Sequence, residues 1–522
     1  MTTDLAPHLD SPRLIEQTRL DLLRSPAERN RLGQFATPPS LALAIAEHAA
    51  KLRKARGHCQ PIRFLDPALG TGAFFEALRH AFPANSIERS TGVELDPAFA
   101  SAATRLWDDL GLDVIQGDFA ALEPPHEPFN LILANPPYVR HHHLGLERKR
   151  SLAEAVTRRV GLKLNGLAGL YAYFLLLADA WLAEGGLALW LVPSEFLDVN
   201  YGQGLRDYLL DRVTLLHIHR FRPTDAQFGD ALVTSAVVAF EKSPPTPSHR
   251  ALMTFAGSLS HPETSQQVPL ETLRASKKWS RFPLEAPDLP SASGPTLGDL
   301  FAIKRGLVTG ANAFFILPLD EALALGIPPN HLTPILPSPR HLLEGVIEAN
   351  PDGSPRLLRP LVLVDCDRPE AEVRRTCPAL AAYLETGRSR GLDLGYLASR
   401  RTPWYAQERR EPAPFLCTYM ARARVDGPPF RFFWNRSKAT APNVFLLLYP
   451  RPPLQALLEA RPELAPRLFD RLKAIPASQL VGEGRVYGGG LHKIEPGELA
   501  ALPAGEMSLD IYKCKNLITT VG

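Results

Sequence analysis

Residues Phe129–Arg140 read "FNLILANPPYVR", and this stretch decides how the chain is to be folded. An apolar run with strand character halts on an amide, Asn135, followed by Pro136, Pro137 and Tyr138. A short apolar run closed by prolines predicts a buried strand that ends in a turn. A turn alone needs neither the tyrosine nor so stiff a backbone. Proline cannot donate a hydrogen bond, so this backbone offers carbonyl acceptors without competing N–H groups.

The neighbouring sequence repeats the pattern. "IRFLD" (62–66) precedes the helical "GAFFEALRHAF", "STGVELD" (90–96) precedes "PAFASAATRLWDDL", and "DVIQGD" (113–118) leads up to the opening stretch. Later come an apolar helix over Leu170–Leu182, then "LALWLVPSEF", "LLHIHRF" and "VTSAVVAFEK". Short apolar runs alternating with longer helical ones predict an α/β fold with an open, mostly parallel sheet covered on both faces. The last two runs are expected to pair as an antiparallel hairpin on its edge. Upstream, about Leu14 to Gly33 has the spacing of a surface helix or helix pair, and Thr37 is the expected N-cap of the next helix, with Pro38 in its first turn.

The length of 522 residues allows two or three domains. We divide the chain at a Pro- and Ser-rich segment, "SPPTPSH" to "EAPDLPSASGP". This gives a catalytic domain over 1–245 with an N-terminal helical segment, a linker with some local structure over 246–296, and a second domain of mixed type over 297–522. Net charge is only +3, so any nucleic-acid surface must be local. The five cysteines form no C-x-x-C pair and read as reduced thiols of a cytoplasmic protein. The greasiest run, Leu167–Pro193, contains Asp179 and Glu184 and breaks at Gly185-Gly186, so no membrane span is expected. Adjacent His141, His142 and His143 lack the spacing of metal ligands, so no metal is expected. "ERKR" at Glu147–Arg150 reads as a solvated face near the site's mouth.

Ligands of open α/β sheets sit beyond the carboxyl ends of the strands. Here four consecutive strands end on hydrogen-bonding residues: Asp66, running into "PALGTG", then Glu94, Asp118 with Phe119, and Asn135. Gly70 and Gly72 would let the backbone approach a ligand. Glu94 is placed to accept ribose hydroxyls, Asp118 to accept from an exocyclic amine, and Phe119 to lie on a purine. The loop lacks both the G-x-G-x-x-G spacing and the Lys-Ser/Thr of phosphate binders, which favours a phosphate-poor nucleoside such as S-adenosylmethionine. Asn135 and the Pro136 carbonyl could together accept both hydrogens of one amine on an aromatic ring, localising its lone pair, while Tyr138 stacks on that ring.

"GQFATPP", "FLDPALGTG", "GVELDP", "GDF" and "NPPY", in this order and spacing, resemble the γ-class DNA adenine-N6 methyltransferases of type II restriction–modification systems. "IKRGLVTGANAFFIL" (303–317) and "YGGGLHKIEP" (487–496) resemble their target-recognition part. The resemblance implies a Rossmann-like methyltransferase sheet with an antiparallel edge, plus a C-terminal mixed α+β target-recognition domain. It also implies S-adenosyl-L-methionine as methyl donor and the N6 amine of a flipped adenine in double-stranded DNA as acceptor. Thr37 and the loop with Asp66, Pro67, Gly70 and Gly72 would hold the methionine moiety, Glu94 the ribose, and Asp118 and Phe119 the adenine. Asn135, Pro136 and Tyr138 would hold the target base, with Phe228 on its opposite face. A separate restriction endonuclease would be the functional partner, and the oligomeric state, monomer included, stays open.

Arg422, Arg424, Arg431, Arg436 and Lys438 alternate with Phe432, Phe433 and Trp434, a pattern suited to a DNA face, and Lys493 is counted with them. Two other readings stay open: an amino-group methyltransferase acting on RNA or a protein glutamine, and a catalytically silent DNA-binding protein.

Overall fold

The alternating runs become one large sheet. The computed structural model describes residues 11–505, apart from 223, 224, 226, 228–233, 284–293, 423–427 and 488–490. Its chain divides into two units, Met1–Asp288 and Leu289–Gly522.

The first unit holds the strands β1 (Ile62–Asp66), β2 (Ile87–Glu94), β3 (Leu112–Gln116), β4 (Phe129–Ala134), β5 (Leu182–Pro193), β6 (Thr214–Arg220), β7 (Ser235–Glu241), β8 (Arg250–Gly257) and β9 (Pro262–Pro269). Its helices are α1 (Pro12–Asp21), α2 (Pro26–Leu32), α3 (Pro39–Ala55), α4 (Ala73–Ala81), α5 (Pro97–Trp107), α6 (Leu146–Val160), α7 (Leu170–Leu177), α8 (Gln203–Asp211) and α9 (Leu270–Ala275). Sheet order is β3-β2-β1-β4-β5-β7-β6-β8-β9, with the first five strands parallel. Every residue of β4 is buried, which is why it does not alternate; its one polar residue, Asn130, accepts from Arg63 N at 3.0 Å and donates to Pro61 O at 2.8 Å. The chain runs outward from β1 to β3 and returns to β4 on the other side of β1. The direction of winding thus reverses between β1 and β4, and the crevice there is flanked by Asp66 and Asn135.

Three expectations need correction. β6 and β7 do pair antiparallel, but β7 lies inside the sheet between β5 and β6, and β8 and β9 extend it further. The segment expected as a linker, 246–296, therefore carries two strands and α9. Its densest prolines and serines, at 247–248 and 287–295, mask the strands between them, where Ala251 and Met253 of β8 are fully buried in the main core. The unit boundary comes at Asp288 instead. Finally, the third helix starts at Pro39 with Pro38 as its N-cap. Thr37 lies outside it and uses its hydroxyl elsewhere.

Beneath β6 and β8 lies a buried polar cluster. His48 Nε2 is 2.9 Å from His217 Nδ1, and Thr254 Oγ1 lies 2.7 Å from His217 Nε2 and 2.8 Å from His219 Nδ1. Burial pushes His48 and His219 down to about 4 and His217 to about 2. All three lie below the usual histidine value of about 6.5. The unfolded chain therefore takes up more protons than the native one below that value, and the cluster's contribution to stability is lost as pH falls from 6.5 through about 4. Each histidine kept neutral costs about 1.4 kcal/mol per pH unit in this window. Asp66, pushed up to about 8, acts in the opposite direction. The expected result is that the thermal midpoint of His217→Gln falls less steeply between pH 7 and pH 5 than that of the wild type. Equal slopes would show that the cluster does not resist protonation.

The second unit is mixed, as expected. A five-stranded sheet is ordered Phe301–Arg305, Phe445–Pro450, Phe415–Thr418, Phe432–Asn435, Val346–Ile347, and two three-stranded sheets accompany it. Among the described residues, no helix is long and apolar enough to cross a membrane.

Candidate active site

The end of β4 is held by the segment that precedes α3. Tyr138 N–H donates to Gly33 O at 3.1 Å. Asn135 Nδ2 donates to Phe35 O at 3.1 Å and to Thr37 Oγ1 at 3.0 Å. The Phe35 carbonyl can only accept, so it fixes the amide's orientation and leaves Oδ1 as the other atom. Asn135 Oδ1 is buried and has no hydrogen-bond partner. An acceptor left so costs about 1–3 kcal/mol unless something fills it. The amide is thus a fixed, desolvated acceptor beside the β1/β4 crevice. Pro136 is buried next to it.

Gly33 makes this approach feasible. Its φ is +67°, and a Cβ there would stand 2.5 Å from Tyr138 N and 2.7 Å from Val139 N. Only glycine lets the two backbones touch. Phe35 also lays its ring against Tyr138, with centroids 5.6 Å apart.

Three carboxylates line the ends of β1, β2 and the turn after β3. Asp66 is buried, and burial raises its carboxyl to about 8 against the pull of the Ala68 N–H, with Glu94 adding to the rise. Glu94 accepts from Gly70 N at 2.8 Å through Oε2 and from Asp96 N at 2.8 Å through Oε1. Burial pushes its carboxyl up, opposed by those N–H groups. Each oxygen keeps a second lone pair for a ligand hydroxyl. Asp118 caps the following turn through Ala120 N at 3.1 Å, and its other oxygen pairs with Arg148 of α6. Gly70 and Gly72 both have positive φ. A Cβ on Gly72 would meet Trp107 Nε1 at 2.4 Å, and that indole donates to Thr71 O at 2.7 Å. Close packing against α5 therefore accounts for Gly72, a reason different from the ligand approach expected.

The aromatic expectations fare less evenly. Phe119 is 1% exposed, with its ring centroid 5.0 Å from Trp181 and 5.4 Å from Phe174. It belongs to the core and presents no open face to a purine, correcting the stacking role. Tyr138 is buried as well, and its hydroxyl donates to Leu191 O at 3.1 Å. Phe228 lies outside the described residues.

In the second unit the basic–aromatic alternation is not one DNA face. Phe432 and Phe433 are both buried, in two different cores on opposite sides of their strand. Arg431 donates to Leu342 O at 2.8 Å and Leu343 O at 3.2 Å, and Arg436 pairs with Glu348 at 2.7 Å. Lys493 pairs with Glu495 at 2.6 Å. All three are engaged within the unit. Arg422 and Lys438 are exposed, while Arg424 and Gly488–Gly490 lie outside the described residues. Among the described residues no cluster of His, Cys, Asp or Glu is arranged to hold a metal.

Sequence reasoning missed three participants. Phe35 and Gly33 sit within "GQFATPP", and the glycine ahead of a proline pair was a usable signal. Arg148, read as solvated, reaches Asp118 across a sequence gap that no local pattern reveals.

Comparison with known proteins agrees with this layout. Residues 111–228 match the family model described as "Eco57I restriction-modification methylase", and residues 290–519 match "Type II methyltransferase M.Eco57I, C-terminal domain". The type II methyltransferase M.XamI of Xanthomonas campestris pv. amaranthicola is 31% identical over 481 residues, covering 90% of this chain and 85% of the relative. M.AccI of Acinetobacter calcoaceticus is 24% identical over 494 residues, with the same coverages of 90% and 85%. Among solved structures, the type IIL restriction-modification enzyme MmeI in complex with DNA superposes with a TM-score of 0.54 at 14% identity, covering 86% of this chain and 67% of that one. That likeness is one of fold. The identity to M.XamI runs along nearly the whole chain, and the chain belongs to the type II methyltransferases of restriction–modification systems.

Proposed function

We propose that this chain transfers a methyl group from S-adenosyl-L-methionine to the N6 amine of a flipped adenine in duplex DNA, protecting host DNA from a separate restriction endonuclease. The observation that carries the proposal is the buried, unpartnered Asn135 Oδ1 at the switch point of the sheet. An amine donor is what such an acceptor lacks.

The donor set suits this methyl donor. Glu94 would accept from its ribose hydroxyls through the remaining lone pairs and Asp118 from its adenine amine, and the loop that begins at Asp66 would hold its methionine moiety. When bound, the group supplies an electrophilic methyl on a sulfonium. The residues of the chain do the rest. Asn135 Oδ1 and the Pro136 carbonyl accept the two hydrogens of the target amine, which reduces its conjugation with the ring and directs its lone pair. Phe35 and Thr37 hold the Asn135 amide so that it cannot turn away. Catalysis is mainly orientation and polarisation of groups already in contact. Loss of the proton follows methylation, so no strong base is needed. The first unit offers no cysteine for an attack on a base: among its described residues Cys59 alone occurs, ahead of β1 at the opposite end of the sheet from Asn135.

The test is incubation with methyl-labelled cofactor and either plasmid DNA, ribosomal RNA or release-factor protein. Label is expected in DNA. Label confined to RNA or protein would end this reading, and no transfer to any of them would favour a silent DNA-binding protein.

A further inference from the structure

We infer that the Leu392–Arg400 loop of the second unit is a duplex-DNA contact that presses Leu394 and Tyr396 against the nucleotides, an assignment that rests on reading the chain as a DNA methyltransferase. Leu394 is 80% exposed and Tyr396 73% exposed. Leu343 and Leu358 of the same unit are also exposed. The pair at 394 and 396 differs in standing two residues apart with a guanidinium over it: Arg400 Cζ lies 3.7 Å from the Tyr396 ring centroid.

The loop is built to hold its tip still. Arg401 donates to Val308 O at 2.7 Å and to Thr309 O at 2.8 Å, clamping the loop's end to another turn. Arg400 Nη1 donates to Tyr396 O at 2.8 Å, and Ser399 N to Gly395 O at 2.9 Å. At the other end Gly387 lies against Phe314 and Trp404, where a Cβ would come within 2.6 Å of the Phe314 ring. Ala398 is buried beneath the loop. Ordering an apolar tip in water gains nothing by itself, so a rigid exposed leucine and tyrosine point to a surface that covers them.

Charge selects the occupant. From Arg388 to Arg401 the chain carries four arginines and one acid, Asp393. Arg388 is tied to Glu370 and Arg401 to carbonyls, whereas Arg390 and Arg400 are exposed at the loop's flanks. Apolar or aromatic tips between cations are the pattern of side chains that wedge or stack against bases while arginines face phosphates. An acidic polymer with flat apolar faces fits; a neutral apolar surface would offer no anion to the exposed Arg390 and Arg400.

The experiment uses the full chain and a fluorescein-labelled duplex carrying the site that the wild type methylates, mapped beforehand by base-resolution sequencing. Leu394→Ser with Tyr396→Ser is expected to weaken duplex binding about tenfold or more, with an unchanged dependence on salt. Arg390→Gln with Arg400→Gln is expected to make the slope of log affinity against log salt shallower by about two. Tyr396→Phe keeps the ring and keeps the binding. Cofactor affinity stays at the wild-type value in all of them, and the thermal midpoint falls by no more than about 4 °C in the double variants, which lose the exposed Arg400–Tyr396 contacts. Binding within twofold of wild type in both double variants overturns the assignment, as does a change in oligomeric state with unaltered DNA affinity, which would make a second copy the occupant. A wild type that labels no DNA sinks the functional reading itself, whereas one that labels DNA beside variants that bind it equally sinks only the loop.

Discussion

Asn135→Ala is expected to lower the rate of methyl transfer by a factor on the order of 10²–10³ or more, while cofactor affinity changes little. The magnitude follows from what is removed: a preorganised acceptor in a desolvated site, comparable to deleting one donor of an oxyanion hole. The substitution also strips the hydrogens from Phe35 O and Thr37 Oγ1, both of which face the amide. Asn135→Asp separates the two effects. It keeps an acceptor where Oδ1 stands but brings a carboxylate against the Phe35 carbonyl, which cannot donate. Its activity is therefore also expected to fall. Single-turnover rates with the cofactor prebound check both, and a rate within fivefold of wild type in Asn135→Ala would remove the amide from the mechanism.

Gly33→Ala is expected to be almost as damaging, although residue 33 contributes no side chain. At φ +67° an alanine costs about 1 kcal/mol in backbone strain. The larger effect is steric. The new Cβ would stand 2.5 Å from Tyr138 N, a backbone atom that cannot swing aside. The "NPPY" turn must shift, carrying Asn135 with it, and misplacement by about 1 Å is worth a factor of about 10² in rate. Gly57→Ala supplies the control: its φ is +72°, but nothing lies within 4 Å of the added Cβ. Both variants should lose similar stability from strain, and only Gly33→Ala should lose most of its kcat. Equal activity in the two would mean that the contact with Tyr138 does not position the site.

Much of the catalytic unit was legible in the sequence because its elements announce themselves locally. β4 is apolar but for Asn130 since every residue in it is buried, and the polar residues that stop β1, β2 and β4 mark the rim directly. What escaped were features set by partners far along the chain. β8 was hidden by the prolines around it, and its place in the sheet depends on β6. Phe119 reads as a ligand platform in its motif, yet Phe174 and Trp181 enclose it from α7 and the turn that follows. The arginines near Phe432 look like a DNA face in one dimension, but Arg431 is spent on the carbonyls of Leu342 and Leu343, nearly ninety residues away. Ion pairs and carbonyl clamps of long side chains leave no periodic trace. The exposed tip at Leu394 and Tyr396 was unreadable for the same reason: exposure is a property of what fails to pack.

The account turns on the identity of the group that meets Asn135 Oδ1. The most direct measurement is mass spectrometry of nucleosides from duplex DNA treated with the wild type and with Asn135→Ala. N6-methyldeoxyadenosine from the wild type, and its loss with the variant, is the predicted result. Methylcytosine as the product, or N6-methyldeoxyadenosine formed equally by the variant, would contradict it.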